Sequence, residues 1–245
     1  MTLEEQLKEL RLAQARTQAY IDCCNVIGKY VCYHAADEQE KIASLFATKT
    51  EGCRIEMMSG VFEGDDGIEA FFHSHPNADD DANRKGFLHI HMLTTPIVEV
   101  AADGESVMGS WYSPGVESNT FGGTLNGFWA WMKYGAIFKK EDGQWKIWHL
   151  HTYSIFMCPY DKCWTEVEPY GLKKEIPPEM LEMMKKEMGE KGMKGPGGPG
   201  GFGGGPMYTP KPATTWWGFS KEAMYPGDQP TPPTPYDTLP DTVEI

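Results

Sequence analysis

Largely apolar positions recur every three or four residues in the first part of the chain, where Leu3, Leu7, Leu10, Thr17, Tyr20, Cys24, Ile27 and Val31 share one helical face. Thr2 followed by Glu5 is a capping-box signature, so the spacing predicts one long helix running to about Tyr33. Asp37 with Glu40 repeats the signature ahead of Ile42, Leu45 and Phe46 and predicts a short second helix. Asp66 with Glu69, beside Ile68, Phe71 and Phe72, predicts a third. Between the second and third helices, residues 53–57 and 60–63 alternate as two short strands. From residue 87 the period drops to two. Strands are predicted at 87–101, 105–113, 127–140 and 144–157, with the turn pairs Asp103-Gly104 and Asp142-Gly143 between alternating runs. The Gly- and Ser-containing stretch from Pro114 to Asn126 reads as a rim loop.

Three helices and a long antiparallel meander define an α+β class, because the helices must cover one face of the sheet. The expected shape is a cone-shaped barrel, a curved antiparallel sheet packed on the helices with a pocket inside. After Pro169 the composition shifts, which divides the chain into a pocket domain at 1–170 and an extension at 171–245. Pro177-Pro178 opens a short helix with Met180, Leu181, Met184 and Met188 as its apolar stripe. A Gly/Pro linker follows at 192–206, then an arm carrying Trp216, Trp217 and Phe219. Such an arm has no core of its own, so its aromatics are expected to dock on the pocket domain or on a neighbouring subunit. The second arrangement makes the protein a homo-oligomer, a dimer or trimer in which the arm contacts a neighbour.

A net charge of −13 repels a phosphate backbone, and no basic stripe interrupts it, which excludes nucleic acid as a partner. No apolar run has the length of a membrane span and no signal peptide precedes the first helix, so no membrane association and a cytoplasmic location are expected. The 6 cysteines show no paired CxxC spacing, and free thiols are expected; Cys158 and Cys163 flank a short Pro-Tyr-Asp-Lys turn and could pair only in an oxidising setting. The glycines of 192–205 neither follow a strand nor open a helix, so no phosphate loop or dinucleotide fingerprint is present.

Several fragments occur in an order that resembles the SnoaL-like branch of the nuclear transport factor 2-like superfamily. They are Gly28-Lys29-Tyr30, Leu45-Phe46-Ala47, residues 60–64, His91 opening a strand that reaches residues 97–100, and residues 142–147. The resemblance spans about residues 8–156 and implies a cone fold with an internal pocket. Its scytalone dehydratase and bile-acid dehydratase group implies a tyrosine on the first helix, a histidine on a strand and nearby carboxylates as catalytic groups. Tyr30 and His91 fall on the first two positions. The group's aspartate falls near Ala35, a departure that Asp37 could make good, although its capping signature gives it a structural role.

These residues support a lyase working without any cofactor, a dehydratase or formaldehyde-eliminating enzyme for a hydrophobic aromatic or polycyclic alcohol, as in the catabolism of aromatic compounds. Histidine titrates near neutrality, and a tyrosine hydroxyl donates to an oxyanion without carrying charge. The catalytic candidates are His91 as base, Tyr30 and Tyr112 as donors, and His151 and His149, which alternate in phase with Tyr153, Trp145 and Ile147 on the last strand. Substrate contacts are expected from Trp111, Trp129, Trp131, Lys133, His34 and His89, since many large aromatics suit a flat ligand. No metal centre is expected. The ligand types at His73, His75 and Asp79 to Asp81 lack fixed geometry, and His89 with His91 would need a third ligand such as His149 or His151. The alternatives are a cofactor-free isomerase and a non-catalytic module that binds a small molecule or joins subunits.

Overall fold

A computed structural model describes residues 1–57, 60–73, 85–121, 124–166, 210–214, 218–219, 230–240 and 243. Three helices, α1 (Leu3–Ala35), α2 (Gln39–Ala43) and α3 (Gly64–His73), combine with seven strands, β1 (Arg54–Met57), β2 (Gly60–Glu63), β3 (Leu88–His91), β4 (Thr94–Val100), β5 (Ser106–Phe121), β6 (Thr124–Glu141) and β7 (Gln144–Pro159). The sheet order is β2-β1-β7-β6-β5-β3, with β4 also paired to β5. Its neighbours run antiparallel except β1 and β7, which are parallel, and the sheet does not close. This is the expected α+β cone, with one parallel pair inserted because β1 and β2 come before α3 and join the far edge.

The capping box at Thr2 and Glu5 is present. Ala19, Cys23, Ile27 and Tyr30 are the buried stripe of α1, while its first four turns, including Leu3, Leu7 and Leu10, stand in solvent. The expected N-cap at Asp37 is corrected. Asp37 has φ 56° and ends α1: its N–H donates to His34 O and the Glu38 N–H donates to Tyr33 O, the paired bonds of a Schellman closure. The two helices are too close for Asp37 to begin α2, which starts behind Glu38 without a side-chain cap.

The concave face carries the core. Tyr30 and Phe46 meet Phe72, Tyr134, Phe138, Ile147 and Leu150 there. The stretch Pro114 to Asn126 is not a rim loop. Residues 114–121 and 124–126 continue the β5–β6 ladder, with Phe121 opposite Thr124 and Glu117 opposite Phe128, so β5 runs 8 residues past its expected end at 113 and β6 begins 3 residues before its expected start at 127. β7 carries two bulges that matter for the site: Ile137 pairs with His149 but Phe138 with Ile147, leaving Trp148 over, and Trp131 pairs with Phe156 but Met132 with Ser154, leaving Ile155 over.

The described parts of the C-terminal extension lie against this domain. Lys211 makes an antiparallel bridge to Val61 on the free edge of β2, through two backbone hydrogen bonds of 2.8 and 3.1 Å. Thr214 reaches Glu56, and Phe219 donates its N–H to Ile155 O while its ring meets Trp164 edge-on. Tyr236 closes over the β4–β5 turn, accepting from Ala102 N and facing the Ser106 hydroxyl at 3.1 Å. Trp216, Trp217, the Met-rich helix and the Gly/Pro linker lie outside the described residues. All six cysteines are free thiols, Cys158 and Cys163 among them.

Candidate active site

The cone holds a cavity of about 70 Å³, walled by the three helices and by β1, β3, β5, β6 and β7. Its apolar lining is Phe71, Phe72, Met57, Met132 and Met157, and its polar lining includes Tyr30, His34, His89, His91, Glu117 and Tyr134, with Gln39, Thr152 and Ser154 completing the wall. A dry cavity that holds benzene is roughly 150 Å³, so a ring-sized ligand requires side chains to move, and three flexible methionines are well suited to that.

His91 belongs to the polar part of this lining. It sits at the end of β3 opposite Gly115, and its Nε2 lies 3.2 Å from Glu117 Oε1, with both side chains buried (3% and 5% exposed). A carboxylate taken out of water is costly unless it is paired, and His91 supplies a partner for Glu117. His89, two residues earlier on the same face, also lines the cavity. His34, one turn beyond Tyr30 on α1, spans the gap: its ring lies 5.4 Å from that of His91, 5.2 Å from that of His89 and stacks at 6.1 Å on Tyr30. Its place in the last turn of α1 puts it at the negative end of the helix dipole.

Two tyrosines complete the polar wall. Burial pushes the Tyr30 hydroxyl well above the usual tyrosine range, helped by Tyr134. Burial raises Tyr134 as well, the Ser113 hydroxyl works against it and the Glu117 charge adds to it. Both therefore stay protonated across the physiological range and act as hydrogen-bond donors. Among the described residues, no group of three or more His, Cys, Asp or Glu side chains is arranged to hold a metal ion. His75 and Asp79 to Asp81 lie outside the described residues.

Of the residues singled out from the sequence, His91, Tyr30, His34 and His89 meet at one cavity. The rest do not, and the reason is register. The expectation that His149, His151 and Tyr153 point inward with Ile147 is corrected, because the bulge at Trp148 inserts one residue and reverses the face of everything after it. Leu150, Thr152 and Ser154 take the inner positions instead. His149 rests on the Trp148 ring at 3.6 Å with Nε2 2.9 Å from Gly52 O, and burial, reinforced by Arg54, pulls its pKa down to about 3. His151 stacks on Tyr153 and lies 3.6 Å from Glu56 Oε1 on the outer face.

Tyr112, Trp129, Trp131 and Lys133 also occupy outer positions, because Ser113, Met132 and Tyr134 alternate with them inward. The Lys133 ammonium sits 5.0 Å from the Tyr112 ring centre, and Trp131 stacks on Phe156. Trp111 faces inward but belongs to the core, where it lies over Gly109 and meets Phe138 edge-on. Asp37 does not line the cavity. Glu117, Tyr134 and Ser113 were missed. Glu117 and Ser113 fall at and beyond the expected end of β5, and the signal that could have recovered Glu117 is the Gly122-Gly123 dipeptide, which marks a two-residue hairpin turn and would have extended both strands.

A SnoaL-like domain model matches residues 15–151, and the chain belongs to that family, with the nuclear transport factor 2-like fold. Similar solved structures include a hexachlorocyclohexane dehydrochlorinase, LinA type 2, and a second one described as LinA. The type 2 form is 14% identical with a TM-score of 0.50, covering 65% of this chain and 99% of its own. The other is 13% identical with a TM-score of 0.50, covering 64% and 99%. A scytalone dehydratase-like protein from Novosphingobium aromaticivorans is 13% identical with a TM-score of 0.49, covering 66% and 99%. No curated protein matches the chain. Among the described residues no helix is long and apolar enough to cross a membrane.

Proposed function

We propose that the protein is a cofactor-free lyase that eliminates water from a hydrophobic, aryl-substituted β-hydroxy carbonyl compound, with His91 as the proton-transferring base. The observation that carries this reading is the buried His91–Glu117 pair on the wall of a mostly apolar cavity. A titratable base with its own counter-charge, shielded from water beside neutral hydroxyl donors, is an arrangement suited to proton abstraction.

The residues also restrict the substrate. An imidazole cannot take a proton from an unactivated carbon, so the C–H bond must be acidified by an adjacent carbonyl group. His91 removes that proton, the C–H electron pair becomes the new C=C bond, and the C–O bond breaks with its pair on oxygen. Tyr30 and Tyr134 donate hydrogen bonds to the carbonyl and to the departing oxygen without giving up their protons. His91 then returns its proton to that oxygen, which leaves as water. Glu117 stabilises the imidazolium that exists between the two transfers.

The test uses β-hydroxypropiophenone and its ring-substituted relatives, whose dehydration to the aryl vinyl ketone is followed by absorbance. His91→Ala is expected to lose at least about 100-fold in kcat, and Glu117→Gln a similar order, while His151→Ala on the outer face keeps turnover. A folded His91→Ala protein with undiminished turnover overturns the proposal. Binding of these compounds with no turnover by the native protein points to a non-catalytic binding module.

A further inference from the structure

We propose that the projecting first turns of α1 pair with the same turns of a second copy of this chain, antiparallel and through Leu3, Leu7 and Leu10. The pairing is independent of the chemistry assigned to the cavity.

A helix on the surface of a domain has one apolar stripe, and α1 has two. The first is the buried stripe of Ala19, Cys23, Ile27 and Tyr30. Towards the N-terminus Leu12 and Arg16 extend it, Leu12 lying beside Gly104 and Arg16 Nη2 donating to Val100 O at 3.0 Å. The second stripe is Leu3, Leu7, Leu10, Gln14, Thr17 and Ile21. At about 3.6 residues per turn it lies on the opposite side of the helix and faces away from the domain. Leu3, Leu7 and Leu10 are 82%, 45% and 66% exposed, so this stripe packs on nothing in its own chain. Its steps of four and three residues are those of a coiled-coil seam, with Leu3, Leu10 and Thr17 in one core position and Leu7, Gln14 and Ile21 in the other. Residues 3–14 also precede the stretch 15–151 that the SnoaL-like model matches, so the seam lies outside the family domain.

Charge selects both the occupant and its direction. Two copies of a chain with a net charge of −13 repel each other over most of their surface. The projecting end of α1 is an exception, since Glu4, Glu5 and Glu9 are balanced by Lys8, Arg11 and Arg16. In an antiparallel pair with Leu7 across from the partner's Leu10, the positions flanking the seam bring Glu4 against the partner's Arg11, twice over by symmetry. Sliding the pair by one heptad in either direction sets Arg11 against Arg11 or Glu4 against Glu4, and a parallel pair sets Gln6 beside Arg11. One register therefore joins opposite charges and its neighbours join like ones. The domain already holds α1 from Ala19 onward, so the seam is ordered before the partner arrives. An overlap of twelve residues is about 18 Å of helix, which makes this a weak and reversible dimer.

The experiment is sedimentation equilibrium on the full-length protein from about 1 μM to about 1 mM. The average mass is expected to rise from 27.5 kDa towards twice that value. Leu7→Glu combined with Leu10→Glu, both at exposed positions, is expected to weaken the dimer at least about 100-fold while circular dichroism stays unchanged. Glu4→Arg and Arg11→Glu are each expected to weaken it about 10-fold, and an equimolar mixture of the two variants to recover the native affinity, because the mixed pair again joins opposite charges. A monomer at every concentration overturns the proposal and leaves the face to a lipid surface or a different protein. A dimer that survives the leucine substitutions also overturns it. Charge variants that pair as well as the native protein, or whose mixture recovers nothing, overturn the antiparallel register, and they decide the matter if the leucine variant does not fold.

Discussion

His149 and His91 have the same side chain and opposite roles, and their surroundings account for the difference. His91 lines the cavity with a buried carboxylate 3.2 Å from its Nε2. His149 is held neutral by burial with a backbone carbonyl at Nε2, and its pKa falls to about 3 from the 6.5 of an unfolded chain. A group whose folded pKa is depressed in this way takes up more protons unfolded than folded, so stability is lost as pH falls through the window from 6.5 to about 3. The slope approaches about 1.4 kcal/mol per pH unit. His149→Asn is therefore expected to be less stable at neutral pH yet to show a flatter dependence on acid. Urea midpoints measured at pH 7, 6, 5 and 4 check this, and parallel curves for the two proteins would refute it.

At the level of elements, the β2 edge and the C-terminal segment form one unit. Lys211 continues the sheet along β2 and pairs its ammonium with Glu63, while the Glu56 carboxylate accepts from Thr214 N and Oγ1 at 2.6 and 2.8 Å. Glu56 is 1% exposed, so the segment supplies partners that a buried carboxylate needs. Gly60 is the pivot: it has φ 130°, and a Cβ there would lie 2.4 Å from Lys211 O. Gly60→Ala is expected to cost about 1–3 kcal/mol from backbone strain alone and to release the segment, read as faster amide exchange at residues 210–214. Thr214→Ala removes only the hydroxyl donor and is expected to cost about 1 kcal/mol in thermal or urea unfolding. The β7 bulges act at the same scale, because each extra residue changes which side chains a strand shows to the cavity. Sequence periodicity locates a strand but not an insertion into its ladder, which is why a face read correctly up to Ile147 was read wrongly from His149 onward.

For the molecule as a whole, removing residues 210–245 is expected to expose Glu56 and the β4–β5 turn together. At about 2–4 °C per kcal/mol for a chain of this size, the loss of several hydrogen bonds should lower Tm by at least about 5 °C, measured by calorimetry on the full and shortened chains. An unchanged Tm would mean that the segment is ornamental to the pocket domain. The cone itself was readable before any coordinates: the switch from a helical period to a period of two, the capping box at Thr2 and the turn pairs at 103–104 and 142–143 are local signals, and local signals survive in sequence. Tyr30 and His91 could be gathered because the family resemblance marks their positions, and His34 and His89 because helical and strand spacing gives each the direction of one of those two. Glu117 could not, since its place depends on how far β5 and β6 stay paired, and its importance depends on His91 lying across the sheet from it. The sequence alone determined most of the elements and the class of fold, and it named four of the side chains that line the cavity. The tertiary structure decided which side of the sheet each group occupies and which carboxylate meets His91, because cross-strand register and bulges are set by packing between residues far apart in the chain.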